Sequence, residues 1–195
     1  AMLRPFVFRK YLDFGAFSSM RELHAQIRRE VQRRELDDNI KLGPGGIREI
    51  EFITQVFQLI RGGKEPALQT RSTLEAMDLI SQRELMQPGA VSELREAYVF
   101  LRNLEHRLQY LEDAQTQTLP GNESDRQLIA SAMHFDNWHD FFAALNVHRQ
   151  KVTRHFEQVF AAPHSQQQSH PLTGLWQGVL DETDAAGRLE AQGYK

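Results

Sequence analysis

The sequence predicts an all-α protein, a helical bundle spanning residues 18–161. Three observations carry that expectation. Apolar residues recur at steps of three and four through every long segment of that range, no segment alternates apolar and polar residues at period two, and glycine, proline or capping residues punctuate the pattern at helix-length intervals. Amphipathic helices without strands must bury their stripes against one another, which is the bundle solution.

Residues 1–17, with the apolar and aromatic run "LRPFVFRKYLDFG", read as a lead-in from a preceding domain. From Ser18, the series Met20, Leu23, Ile27 and Val31 predicts a helix ending near Glu35. Its other face carries Arg21, Arg28, Arg29, Arg33 and Arg34 among Glu22, Glu30 and Glu35. That face is either a solvated surface of mixed charge or a basic patch for a phosphate-bearing partner. A second helix is expected from Ile47 to about Arg61, stopped by Gly62-Gly63. Ser72 with Glu75 fits a capping box opening a short helix through Leu74, Met77 and Ile80. Pro88-Gly89 reads as a break, followed by a long helix from about Ser92 to Ala114 with Leu94, Ala97, Tyr98, Leu101, Leu104, Leu108 and Leu111 on one stripe. "TLPGNESD" forms a loop, and Ser124 with Gln127 is the expected cap of a short helix through Met133. From Asn137 the stripe Trp138, Phe141, Phe142, Leu145, Val152, Phe156, Val159 and Phe160 marks the last long helix. Residues 162–171, containing "PHSQQQSHP", read as a polar, proline-flanked linker. Residues 172–195 hold too few apolar side chains for a core and read as the start of a following segment, poorly ordered or a short helix.

Composition narrows the function classes. At 195 residues there is material for one good core. The net charge of −3 gives no global attraction to nucleic acid or to a membrane surface, and no apolar run approaches the roughly 20 residues needed to span a bilayer. The N-terminus lacks the features of a secretory signal, so the chain reads as cytoplasmic. With no cysteine there are no disulfides, no thiolate chemistry and no cysteine-based zinc site. The histidines, including His134, His139, His148 and His155, make no compact ligand set, and no metal site is expected.

The stretch that most invites a chemical reading is "KLGPGGIREIEF", residues 41–52. A helix opening directly after Gly45-Gly46 presents unpaired N–H groups and the positive end of its dipole, Gly43, Gly45 and Gly46 permit close approach, and Lys41 adds a point charge. The same residues also suit a plain helix-opening turn; the pattern matches neither the dinucleotide nor the P-loop fingerprint. In the helix that follows, Arg48, Glu51, Thr54, Gln55 and Gln58 gather on a polar face. Glu49 instead falls among Phe52, Ile53, Val56 and Ile60, where a carboxylate needs backbone donors or an arginine partner. Glu105, between Leu101 and Leu108, poses the same problem, and a buried ion pair is the expectation for both. Asp37-Asp38 reads as a helix exit, and no nucleophile, base and orienter set is visible.

"AMLRPFVFRKYLDF", "DNIKLGPGGIREIEFITQVFQLIRGGKEP" and "QTQTLP", taken together and in this order, resemble the bifunctional glutamine synthetase adenylyltransferase/deadenylylase family, over about residues 1–161. The resemblance implies a helical domain related to one in the PII uridylyltransferase, following a nucleotidyltransferase domain absent from this chain. The run Arg48-Glu49-Ile50-Glu51-Phe52 matches the family's N-terminal half, which removes AMP from glutamine synthetase by phosphorolysis, yielding ADP. The family's catalytic G-S motif and metal-binding aspartates lie upstream of anything present here. The resemblance therefore implies Mg²⁺ and ATP/ADP in the parent enzyme and none bound by this chain alone, with no catalytic residue in it. It implies glutamine synthetase, the PII signalling protein and the enzyme's own nucleotidyltransferase domain as partners. It places Lys41, Gly43, Gly45, Gly46, Arg48 and Glu51 as candidates for a phosphate or nucleotide cleft, and Arg28, Arg29, Arg33 and Arg34 as a candidate partner patch. The rival reading is a free-standing helical interaction module with a purely structural glycine loop.

Overall fold

The computed structural model describes residues 36–112 and 116–160 continuously, together with isolated positions between 7 and 33. The chain divides into two units, Ala1–Phe160 and Ala161–Lys195. The expected linker at 162–171 and the segment 172–195 lie outside the described residues, as does nearly all of the lead-in at 1–17.

The fold is all-α. From residue 36 onward the described residues form five α-helices in order: α1 (Ile47–Arg61), α2 (Thr73–Gln82), α3 (Pro88–Glu112), α4 (Glu123–Ala132) and α5 (Trp138–Phe160), with a 3₁₀ turn at Pro66–Leu68 between α1 and α2. Before α1, the described residues from Ser19 to Arg33 are helical. The only β pairing among the described residues is an isolated antiparallel bridge between Asn39 and Thr118.

The long helix α3 is the axis of the core. Leu94, Ala97, Leu101, Leu104 and Leu108 are buried along it and meet Phe141, Leu145, Val152 and Phe156 of α5, the most extensive helix pairing in the domain. Helix α1 packs across α3 and α5 with Ile47, Ile50, Ile53 and Val56. Phe52 of α1 stacks on Phe156, which in turn stacks on Phe160, with centroids 6.1 Å and 4.4 Å apart. Phe100 lies over His148 at 4.5 Å. Burial there lowers the His148 pKa and its Nδ1 has no hydrogen-bond partner, so the ring serves as neutral packing surface.

Helix α1 begins and ends where the sequence places it, and Gly62 closes it with its N–H on the Gln58 carbonyl. Three terminus expectations are corrected. Pro88 opens α3 as its first residue, because a missing N–H costs nothing in a helix's first turn. The cap of α4 is Asn122, whose Oδ1 accepts from the Asp125 N–H at 2.8 Å, rather than Ser124 with Gln127. At α2, Ser72 accepts from the Glu75 N–H, but the Glu75 carboxylate turns to the Thr70 hydroxyl, so the box is half formed. On α1, Thr54 is not part of the polar face: it is 2% exposed and its hydroxyl donates to the Ile50 carbonyl at 3.0 Å, which satisfies it inside the helix.

Helices α2 and α4 end alike. Glu84 and His134 follow them in the left-handed region, at φ 52° and 67°, and the next amide reaches back to Ile80 and Ala130 respectively. Glycine is the residue this geometry favours. Glu84→Gly and His134→Gly are each expected to raise stability by about 0.5–1 kcal/mol, because relief of left-handed strain outweighs glycine's larger unfolded-state entropy. Urea midpoints at unchanged m-value measure this, and a lowered midpoint in both variants would contradict it.

A charged tie joins α3 to α5. Glu93 accepts from His155 Nε2 and from Arg154, each at 2.6 Å, with Lys151 at 3.4 Å. The hydrogen bond to His155 is the main cause that lowers the Glu93 pKa from 4.5 to about 2, with Lys151 and Arg154 assisting against burial. The folded state thus holds this proton more weakly than the unfolded chain, and the stabilisation is complete above the unfolded value and lost as pH falls through the folded one. The stability difference between the protein and Glu93→Gln should shrink as the pH falls from about 4.5 towards 2. Denaturant melts across that range test it; a difference independent of pH would contradict it.

Candidate functional site

Residues 36–49 form the turn that delivers the chain into α1. Asn39 organises it: its side-chain oxygen accepts from the Lys41 and Leu42 amides at 3.0 and 2.8 Å, and its carbonyl accepts from Gly43 at 2.8 Å. The neighbouring backbone pairs with the segment after α3, Ile40 N–H to the Gln117 carbonyl at 2.8 Å and Leu119 N–H to Asp38 at 3.1 Å. The glycine loop and the "QTLP" run are thereby held side by side.

The first turn of α1 has its donors accounted for. Gly46 N–H goes to the Gly43 carbonyl, Ile47 N–H to Ile40, Arg48 N–H to Lys41 and Glu49 N–H to Gly46, at 3.0–3.1 Å. Gly45 N–H donates to the Glu49 carboxylate at 3.0 Å. Glu49, 7% exposed, therefore occupies the positive end of its own helix, much as the acidic member of a capping box does. From Asn39 to Glu49 each backbone N–H is taken, Pro44 having none. Lys41 through Gly46 thus offer an anion no backbone cradle.

The glycines are explained by the close approach of α5 and of the turn's own carbonyls. Gly45 sits at φ 68°, and a Cβ there would lie 2.6 Å from the Arg149 Cα. A Cβ on Gly43 would meet the Asn39 carbonyl at 2.5 Å and the Arg149 guanidinium at 2.7 Å, and one on Gly46 the carbonyls of Ile40, Lys41 and Gly43. Arg149 clamps the loop from the other side, donating to the Pro44 carbonyl at 2.8 Å and to Asp37 at 2.5 Å. Burial lowers its pKa, an effect opposed by the charges of Asp38, Asp37 and Glu49.

Lys41 leads away from the glycines. Its ammonium lies 3.1 Å from Glu105 Oε1, while Arg102 bonds the other carboxylate oxygen. Glu105 is 2% exposed, so the sequence expectation of a buried, paired carboxylate describes it, with two cations where one was anticipated.

Arg48 and Glu51 pair with each other at 3.3 Å on the exposed side of α1 and line a groove of about 560 Å³. Its apolar lining includes Ile27, Val31, Leu42 and Phe52, with Thr153 and Glu157 of α5 opposite. Lys41 and Glu105 are not part of that lining. The candidate cleft residues are therefore divided: Arg48 and Glu51 line the groove, Lys41 joins the Glu105 pair, and Gly43, Gly45 and Gly46 belong to the turn. In the arginine patch, Arg33 pairs with Glu30 at 2.7 Å and Arg29 donates to the Ala25 carbonyl at 3.2 Å; Arg28 and Arg34 lie outside the described residues. Among the described residues no group of three His, Asp or Glu side chains converges for a metal, and no helix is long and apolar enough to cross a membrane.

Three residues escaped the sequence reading. Asn39 carried a signal, an Asx residue directly before a turn-rich run. Arg102 carried a weaker one, three positions before a buried glutamate on the same helix. Arg149 carried none, since it meets the loop across more than a hundred residues of chain.

The family model described as GlnD PII-uridylyltransferase matches residues 21–160. The chain is 56% identical, over 99% of its length, to a bifunctional glutamine synthetase adenylyltransferase/adenylyl-removing enzyme of Chromobacterium violaceum, covering 22% of that protein. It is likewise 56% identical over 98% of its length to a protein of the same description in Aromatoleum aromaticum, covering 20% of it, and 62% identical over 83% of its length to one in Nitrosomonas europaea, covering 17%. The chain thus spans about a fifth of the length of the curated relatives it matches. It belongs to the GlnD PII-uridylyltransferase family, on the branch represented by the bifunctional glutamine synthetase adenylyltransferase/adenylyl-removing enzymes.

Proposed function

We propose that this chain is the helical domain of a glutamine synthetase adenylyltransferase/adenylyl-removing enzyme, in the half that removes AMP from adenylylated glutamine synthetase by phosphorolysis. The observation that carries the proposal is 56% identity over 99% of the chain to an enzyme of that description. On this reading the domain's part is to shape and close the site, while Mg²⁺ and ATP/ADP are handled by the nucleotidyltransferase domain of the whole enzyme. The locked loop at residues 36–49 suits that part, because it fixes the direction of α1 and with it the Arg48 and Glu51 side of the groove.

One observation favours a second role in the same protein. Ile27 and Leu42, 44% and 42% exposed, line the groove, and apolar side chains left open in a concavity suit a protein partner such as a PII-type signalling protein.

Purified 195-residue chain, given adenylylated glutamine synthetase, phosphate and Mg²⁺, should form no ADP, whereas the full-length enzyme does. Turnover by the pure chain would overturn the assignment of chemistry to the other domain. Gly45→Ala should lower the stability of the chain itself by about 2 kcal/mol or more, since a side chain there is strained and collides with the Arg149 backbone. An unchanged melting temperature would remove the structural role given to the loop.

A further inference from the structure

We propose that Lys41 and Arg102, held on the two oxygens of Glu105, form a binding site for a phosphate-class oxyanion. Glu105 is 2% exposed, while the side chains of Lys41 and Arg102 remain 26% and 38% exposed, so the carboxylate is inside and both cations reach the surface. One buried negative charge faces two positive ones, which leaves one positive charge uncompensated at a fixed place. Neither cation has a further acidic partner among the described residues. Each engages Glu105 through a single nitrogen, so the ammonium keeps two N–H donors and the guanidinium four.

The arrangement is held from both ends. Lys41 follows Asn39, whose side chain caps the Lys41 amide at 3.0 Å, and Arg102 and Glu105 lie one turn apart on the core helix α3. A carboxylate bridging two cations sets their spacing before any ligand arrives, which limits the side-chain entropy lost on binding. Tetrahedral oxyanions suit such a pair because adjacent oxygens can accept from the ammonium and the guanidinium together. The nearby backbone adds nothing, since the loop's N–H groups already have acceptors. Recognition rests on side chains that the glycine pattern alone would not identify, and it is independent of the enzymatic role proposed above.

The ligand is either free inorganic phosphate or the terminal phosphate of a nucleotide. The test is a titration of the ¹⁵N-labelled 195-residue chain with sodium phosphate and, separately, with ADP, each against sodium chloride of equal ionic strength, following the backbone amide resonances of Leu42 and Glu105, which every variant below retains. A saturable one-to-one shift with phosphate or ADP and none with chloride is expected, and the tighter of the two identifies the source. Lys41→Gln and Arg102→Gln should each weaken it roughly tenfold or more, the loss of one charge-assisted contact. Lys41→Arg, which keeps the charge, should retain binding. Absence of a saturable shift in the unsubstituted chain would overturn the proposal without touching the enzymatic reading, as would undiminished binding in both glutamine variants.

Discussion

Between Asn39 and Glu49 the backbone has no N–H left without an acceptor, and the rest of the domain is arranged around keeping it so. The turn draws acceptors from its own carbonyls, from the Asn39 side chain, from the segment after α3 and from a carboxylate in the first turn of α1. A buried amide without a partner is costly enough that such saturation acts as a constraint on the whole neighbourhood. It fixes where α1 starts, hence which of its faces meets α3 and α5, and hence where the groove lined by Arg48, Glu51 and Phe52 opens. Glycines are needed because the acceptors and the Arg149 backbone come too close for a Cβ.

The two glutamates inside the fold illustrate two ways of keeping a charge where water is scarce. Glu49 sits at the start of its own helix and takes a backbone donor, so its negative charge meets the dipole's positive end. Glu105 sits mid-helix, where no backbone donor is free, and is held by two cations arriving from different elements. Removing either cation alone leaves Glu105 with the other, so this pairing tolerates loss better than a simple two-member bridge does. Near the N-terminal end of α3, Glu93 meets three basic groups of α5 at a more open position, where solvent screening limits what the pairing contributes.

Helix identity and core stripe were legible because they depend on local periodicity. The bounds of α1 and the buried run Leu94, Ala97, Leu101, Leu104 and Leu108 follow from it directly. Termini were less legible where two signals competed, as at Asn122 against Ser124, or where proline can either break or begin a helix, as at Pro88. The buried state of Glu49 and Glu105 could be read from helical phase, but not their partners: the Gly45 amide, Lys41 and Arg102 depend on loop path and rotamer. The arginine clamp had no local trace at all, because Arg149 on α5 looks like any polar residue of an amphipathic helix until the loop is folded against it.

Native-state amide hydrogen exchange at Ile40, Gly43, Gly45, Ile47 and Arg48 tests the central claim most directly, because it reads whether these N–H groups are engaged. The account predicts protection close to that of the Leu101 and Leu104 amides of the core helix, in the absence of any ligand. Rapid exchange of the loop amides while those of α3 stay protected would show donors open to solvent and would contradict it.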